Sequence, residues 1–280
     1  MEFQSKKTEK VWFITGASRG FGRIWTEAAL QRGDKVVATA RDLESIAELN
    51  VRYGDKVLTL KMDVTEAEQV LSAVEIAHDH FGRFDLIVNN AGYSLVGAIE
   101  ECDLDSVRKL YETNVFGTVA VIQAVLPILR KQGYGHILGT SSGLGHLAYP
   151  VIGYYCSSKW AFEAIHESLA EEIKQFGIKV TIIEPGAYTT EFGSQKSLDI
   201  AKGTGIYDRG KQQFFEQMKK TVVQGNPKAT PDAVFKVVDA ENPPLRLSLG
   251  MYNLPEIRQA YSERLKTWEA WEEVSNAAQG

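Results

Sequence analysis

Short apolar runs alternate with amphipathic stretches from the start of the chain. "VWFIT" (11–15) reads as a strand, residues from about Phe21 to Gln31 as a helix, and "KVVATA" (35–40) as a second strand. A helix rich in Leu, Ile and Glu leads to "KVLTLKM" (56–62). A helix from about Glu66 to His80 then leads to "FDLIVNN" (84–90). A long helical region, about Leu104 to Lys131, precedes "GHILGTS" (135–141), and the helix after Tyr155 precedes "IKVTIIEP" (178–185). The strands are apolar on both faces, as in a parallel sheet covered on each side by helices. This alternation predicts an α/β fold with a doubly wound, mostly parallel sheet.

Beyond Pro185 the pattern breaks. Residues 186–229 carry Gly, polar residues and a helical piece around "KQQFFEQMKK", and are expected to form a substrate-loop insert that closes as a lid. In "ATPDAVFKVV", Thr230 is expected to cap a helix with Pro231 at its first position. "LRLSLG" (245–250) supplies a seventh strand, and the tail at about 254–276 reads as helical, with Tyr261, Leu265, Trp268 and Trp271 for one packing face. With no repeat and no linker, one domain over 1–280 is expected.

Bulk properties narrow the function. A net charge of −5 disfavours a nucleic-acid partner. Cys102 and Cys156 lie far apart without metal-ligand spacing, so reduced thiols, no metal and a cytoplasmic location are expected. The polar start "MEFQSKKTEK" shows no signal peptide. The longest uncharged apolar run, Val115 to Leu129, falls short of the ~20 residues of a membrane span and reads as a buried helix.

The chemistry begins at "TGASRGFG" (15–22), placed after the first strand and at the opening of the first helix. Gly16, Gly20 and Gly22 permit a tight turn and close backbone approach to a phosphate, beside the free N–H groups of a helix N-terminus. Further on, "YYCSSKW" sets Tyr155 and Lys159 one helical turn apart with no carboxylate beside them. A phenol is a sluggish acid at neutral pH, and a neighbouring ammonium favours its ionised form.

These motifs, with Asp63 in "MDVT", "NNAG" (89–92), Asn114 in "NVFG", the serine of "TSSG" and "PG" (185–186), give the chain a resemblance to the single-domain short-chain dehydrogenases/reductases over roughly residues 9–190. Within that family "NVFG" and "YYCSSKWAFEAI" are most similar to 17β-hydroxysteroid and retinol dehydrogenase-like members, and bacterial carbonyl reductases also look close. The resemblance implies a Rossmann-type seven-stranded sheet, a nicotinamide dinucleotide and a homodimer or homotetramer.

It further implies a catalytic set of Asn114, Ser142, Tyr155 and Lys159. Ser142 is preferred over Ser141 because it lies 13 residues before Tyr155, the family's usual spacing. Asn114 would hold a water linking Lys159 to solvent, and Lys159 would also hold ribose hydroxyls. The cofactor set would comprise Gly16, Ser18, Arg19, Gly20, Phe21, Gly22, Arg41, Asp63, Val64, Asn90, Ala91, Gly92, Tyr155, Lys159, Pro185, Gly186 and Thr190.

Cofactor choice is read at the end of the second strand, "ATARD". Ala40 stands where an NAD-type acid belongs, and Arg41 follows it. With Arg19 it could fork onto a 2′-phosphate, so NADP(H) is favoured; Asp42 keeps NAD(H) possible. Tyr188 stands where the family usually has a small aliphatic residue. The substrate would meet Ser142, Leu144, Tyr149, Tyr155, Tyr188 and Phe192, with Tyr93, Leu95, Val151, Phe214 and Phe215 also expected in a wall poor in charge. The expected activity is NADPH-dependent reduction of a hydrophobic ketone or aldehyde, reversible as alcohol oxidation. A nucleotide-sugar epimerase or dehydratase, or a non-catalytic NADP sensor, is the alternative.

Overall fold

The computed structural model describes residues 9–191, 197–221 and 223–280. The first half runs β1 (Val11–Ile14), α1 (Gly20–Arg32), β2 (Lys35–Ala40), α2 (Glu48–Tyr53), β3 (Val57–Lys61), α3 (Ala67–Phe81), β4 (Leu86–Asn89), β5 (Ser94–Val96), α4 (Leu104–Tyr111) and α5 (Gly117–Gln132). The second runs β6 (Gly135–Thr140), α6 (Gly153–Ile173), β7 (Ile178–Pro185), β8 (Leu198–Ile200), α7 (Asp208–Thr221), α8 (Pro231–Val238), β9 (Arg246–Leu249), α9 (Asn253–Ala270) and α10 (Glu272–Ala277). Seven strands form one sheet in the order β3-β2-β1-β4-β6-β7-β9, and every pairing in it is parallel.

Side chains along a strand point alternately to its two faces, and here both faces are buried. Phe13, Val37, Ile87 and Ile137 pack with α3, α5 and α6 on one side. Trp12, Ile14, Val36 and Leu138 pack with α1, α2 and α8 on the other. A third, small cluster of Leu95, Cys102 and Leu110 lies apart from these. Both cysteines are free and buried.

Four features depart from the sequence reading. First, β5 and β8 form a separate two-stranded parallel sheet, with Ser94 opposite Leu198 and Val96 opposite Ile200. Three-residue strands are too short to show a period. This sheet ties the insert to the segment after "NNAG". Second, α4 and α5 are joined through a π turn at Glu112–Phe116 into one helical rod, Leu104–Gln132, of 29 residues. By length and composition the rod could cross a membrane, yet Val121, Ile122, Val125 and Leu129 are buried in the core against α3.

Third, Thr230 does not cap α8 with its side chain. Its hydroxyl donates to Pro227 O at 2.7 Å and accepts from Trp25 Nε1 at 2.9 Å, a tertiary contact no local pattern contains. Fourth, the insert is fastened at Glu101. This buried carboxylate accepts from Thr204 N at 2.9 Å and pairs with Lys211 at 3.0 Å, which holds it at about 2.

Candidate active site

A cavity of about 1150 Å³ opens above the C-terminal ends of the strands. That is where open α/β sheets bind ligands, because loops diverge there. Its floor is the turn from β1 into α1. Gly16 and Gly20 line it, and Gly20 has φ +55°, a left-handed conformation that suits glycine. Gly22 lies beneath the turn. A Cβ there would sit 2.3 Å from Gly16 O and 2.4 Å from Asn90 Nδ2, so only hydrogen fits. Asn90 locks the turn by donating to Thr15 O at 2.9 Å and Gly16 O at 3.2 Å.

The helix start already attracts an anion: Gly20 N donates to Glu191 Oε2 at 3.3 Å. Ser18, Arg19, Phe21, Arg41, Asp63, Val64, Asn90, Ala91, Gly92, Pro185, Gly186 and Thr190, all of the expected cofactor set, also line the cavity. Arg41 follows the last residue of β2 and is exposed. Burial lowers the Arg19 guanidinium below its ordinary value, and the nearby Arg41 charge lowers it further, so the two cations share one corner. Asp42 also lines the cavity, but its carboxylate accepts from Glu44 N at 3.1 Å in a local turn.

Tyr155 and Lys159 stand on the buried face of α6 and both reach the cavity. Ser142 arrives from the turn after β6; its Oγ accepts from Leu144 N at 3.2 Å and hydrogen-bonds the Tyr155 phenol. Ser141, by contrast, points its hydroxyl towards Glu163. Lys159 Nζ donates to Thr140 O at 2.8 Å. Burial drives its pKa down to about 8. The phenol departs from expectation. Desolvation pushes it above its ordinary value, outweighing the opposing Ser142 bond. The polypeptide alone therefore holds Tyr155 as an acid and not as a phenolate.

Asn114 is buried behind the cavity at the π turn. Its Oδ1 accepts from Tyr93 N at 3.0 Å, and its Nδ2 donates to Tyr93 O at 3.0 Å and Ser158 Oγ at 3.1 Å. A Cβ on Gly92 would meet Asn114 Oδ1 at 3.1 Å and Lys159 Nζ at 3.9 Å, so the three groups adjoin.

At the substrate end, Tyr93, Leu144, Tyr149 and Tyr188 line the cavity as expected. Tyr188 fills the space of the usual small residue by packing edge-on to Phe21 at 5.4 Å. Phe192 lies outside the described residues. Leu95 faces away, into the third cluster, and Phe215 is exposed on α7. Phe214 is not among the described residues of the lining but packs on Tyr149, at 6.0 Å between ring centroids. Val151 is buried beside the cavity with φ 60°, a strained value for a β-branched residue. Its carbonyl accepts from Gly97 N at 2.7 Å, which helps hold that shape.

The sequence reading missed the contribution of α9. Tyr252, Asn253 and Glu256 line the cavity, so the wall expected to be poor in charge includes a carboxylate. Nothing local announces this, because the tail returns to the site only through the fold. Asn253 donates to Glu184 O at 2.8 Å, while Arg264 donates to His146 O at 3.0 Å, so α9 is strapped to the turn that carries Ser142. Beneath that turn His146, Glu163 and Glu184 converge closely enough to suggest a metal-ligand set. Arg246 already stands there as the cation, 3.3 Å from Glu163 and 3.4 Å from Glu184.

Residues 10–201 match the family model for short chain dehydrogenase. The chain is 39% identical over 274 residues to the oxidoreductase BOA17 of Botryotinia fuckeliana, covering 96% of this chain and 99% of that one. A short-chain dehydrogenase from Streptomyces avermitilis superposes with a TM-score of 0.90 at 34% identity, covering 97% and 99%. Two Burkholderia short chain dehydrogenases were solved with nicotinamide dinucleotides. The B. cenocepacia enzyme holds NADP (TM-score 0.75, 25% identity, covering 94% and 97%), and the B. phymatum enzyme holds NAD (0.78, 23%, covering 94% and 95%).

Proposed function

The chain belongs to the short chain dehydrogenase family, an oxidoreductase family, and from that premise we propose that it reduces hydrophobic ketones or aldehydes with NADPH. The observation that carries this reading is the meeting of Ser142, Tyr155 and Lys159 with the glycine turn in one cavity. The residues fit a dinucleotide. Gly22 leaves room for close backbone approach, the Glu191 carboxylate stands where a phosphate would, and Arg19 and Arg41 offer paired cations.

When bound, the reduced nicotinamide supplies hydride to the carbonyl carbon. The protein supplies the rest. The Ser142 hydroxyl polarises the carbonyl oxygen, and the Tyr155 phenol gives that oxygen its proton. Lys159 sets a positive charge near the developing phenolate and offers N–H donors to ribose hydroxyls. Burial of Tyr155 keeps its proton on until the alkoxide forms. In the reverse direction the phenolate takes the alcohol proton. Leu144, Leu147, Ile152 and the surrounding tyrosines make a wall suited to a bulky apolar substrate.

The direct test is NADPH consumption against aryl ketones, long-chain ketones, aldehydes and a small polar ketone. Bulky apolar carbonyls are expected to give the highest kcat/KM. Preference for the small polar ketone, or no turnover across the panel, overturns the reading.

Cofactor choice is checked at Arg41. Arg41→Ala is expected to weaken NADPH binding roughly tenfold or more, the scale of a charged hydrogen bond, while NADH binding changes little. Equal losses for both dinucleotides would remove Arg41 as the reader of a 2′-phosphate.

A further inference from the structure

We propose that Glu256 and Tyr149 form a cation subsite at the substrate end of the cavity, so that among bulky apolar carbonyls those carrying a protonated amine remote from the carbonyl are favoured. This rests on the carbonyl-reductase reading of the same cavity.

Among the described residues the lining contains four acids, and three belong to the cofactor side. Asp42 and Asp63 follow β2 and β3, and Glu191 lies against the glycine turn. Glu256 is different: it comes from the first turn of α9 and meets the substrate loop. The Tyr149 hydroxyl donates to Glu256 Oε2 at 2.9 Å, leaving Oε1 available to a ligand. Among the described residues no lysine, arginine or histidine forms an ion pair with Glu256. Burial and the Glu256 carboxylate push the Tyr149 phenol up to about 12, so it remains a donor and keeps the carboxylate oriented throughout the neutral range.

Aromatic rings stand near the pair. Tyr149 and Tyr252 line the cavity, and Phe214 abuts Tyr149. A carboxylate bordered by aromatic rings suits an ammonium group, which gains a charge-assisted hydrogen bond and a cation–π contact. It repels an anion and gives a neutral alkyl end nothing. The bland role for Glu256 is an acid in a helix's first turn, favoured by the helix dipole. That role stabilises α9 but does not sort substrates by charge.

The experiment compares an ω-aminoalkyl aryl ketone with its methyl-terminated isostere at saturating NADPH. Wild type is expected to favour the amino ketone roughly fivefold or more in kcat/KM, a modest figure because Glu256 is exposed. Glu256→Gln keeps an acceptor for Tyr149 and removes the charge. It is expected to bring the ratio towards one, through KM for the amino ketone, and added salt should act in the same direction. A ratio that stays the same in Glu256→Gln, or a wild-type preference for the neutral ketone, overturns the subsite.

If neither ketone is reduced, the carbonyl reading fails and the subsite is judged by binding. 4-Phenylbutylammonium, titrated against the tryptophan fluorescence of the NADPH-loaded protein, must bind wild type more tightly than Glu256→Gln. Equal affinities overturn the proposal.

Discussion

Replacing Tyr155 with phenylalanine is expected to lower carbonyl reduction by at least ~10²-fold while NADPH still binds, because the proposed proton donor is lost and the ring is kept. Tyr155 is 6% exposed, so the ring is also part of the packing, and phenylalanine preserves that. Turnover close to wild type would defeat the mechanism.

The neighbouring lysine adds a pH signature. Its ammonium titrates at about 8, so reduction should fall as pH rises through that value. Stability should move the other way. A lysine whose folded pKa lies below its unfolded value, ~10.4, destabilises the fold most at pH values below both, and that cost is relieved as pH climbs between them. The melting temperature of the cofactor-free protein should therefore rise from about pH 8 towards 10, relative to a Lys159→Met variant, over the window in which activity is lost. Parallel decline of both would assign the activity loss to unfolding.

Gly22→Ala is expected to be the most damaging single change in the cofactor half. Its methyl would lie 2.3 Å from a backbone carbonyl oxygen that cannot step aside without opening the turn. A loss of ~1–3 kcal/mol is the scale of such overpacking. NADPH affinity should fall by about ten- to a hundredfold if the whole of it is taken from the bound turn. Gly20→Ala provides the comparison. It meets no atom within 4 Å and carries only left-handed strain, so it should be milder in both calorimetric melting and NADPH titration. The reverse order would mean that the glycine turn is not the phosphate cradle.

The sheet and the glycine turn were legible in the sequence because they depend on local signals. A strand buried on both faces needs a continuous apolar run, and the turn after β1 needs glycine at Gly20 and Gly22. Ser142, Tyr155 and Lys159 were found through motif spacing, and the structure brings them to one cavity. What escaped depends on distant contacts. Glu256 lies 101 positions beyond Tyr155 and reaches the site only because α9 folds back over the Ser142 turn. Thr230 carries a capping residue's signature, yet its hydroxyl serves Trp25, on a helix from the other end of the chain. The Tyr155 phenol lies above its ordinary value because burial outweighs its bond to Ser142, while the Lys159 ammonium bonds Thr140 O; no local pattern reports that burial.

The small ladder between β5 and β8 bears on the order in which the molecule assembles and comes apart. It joins Ser94–Val96 to Leu198–Ile200 through three residue pairs, across a chain separation of about a hundred residues. Closing so long a loop for so few bonds is entropically unfavourable until the intervening strands have docked. The ladder is therefore expected to form late in folding, after β6 and β7 have joined β4. By the same reasoning it is the first to open. The insert keeps a second tie, from the buried Glu101 to Thr204 and to Lys211 on α7, so α7 comes loose only when that tie opens as well, while the seven-stranded sheet keeps its hydrogen bonds. The insert is thus expected to open at a lower free energy than the seven-stranded sheet that carries the glycine turn.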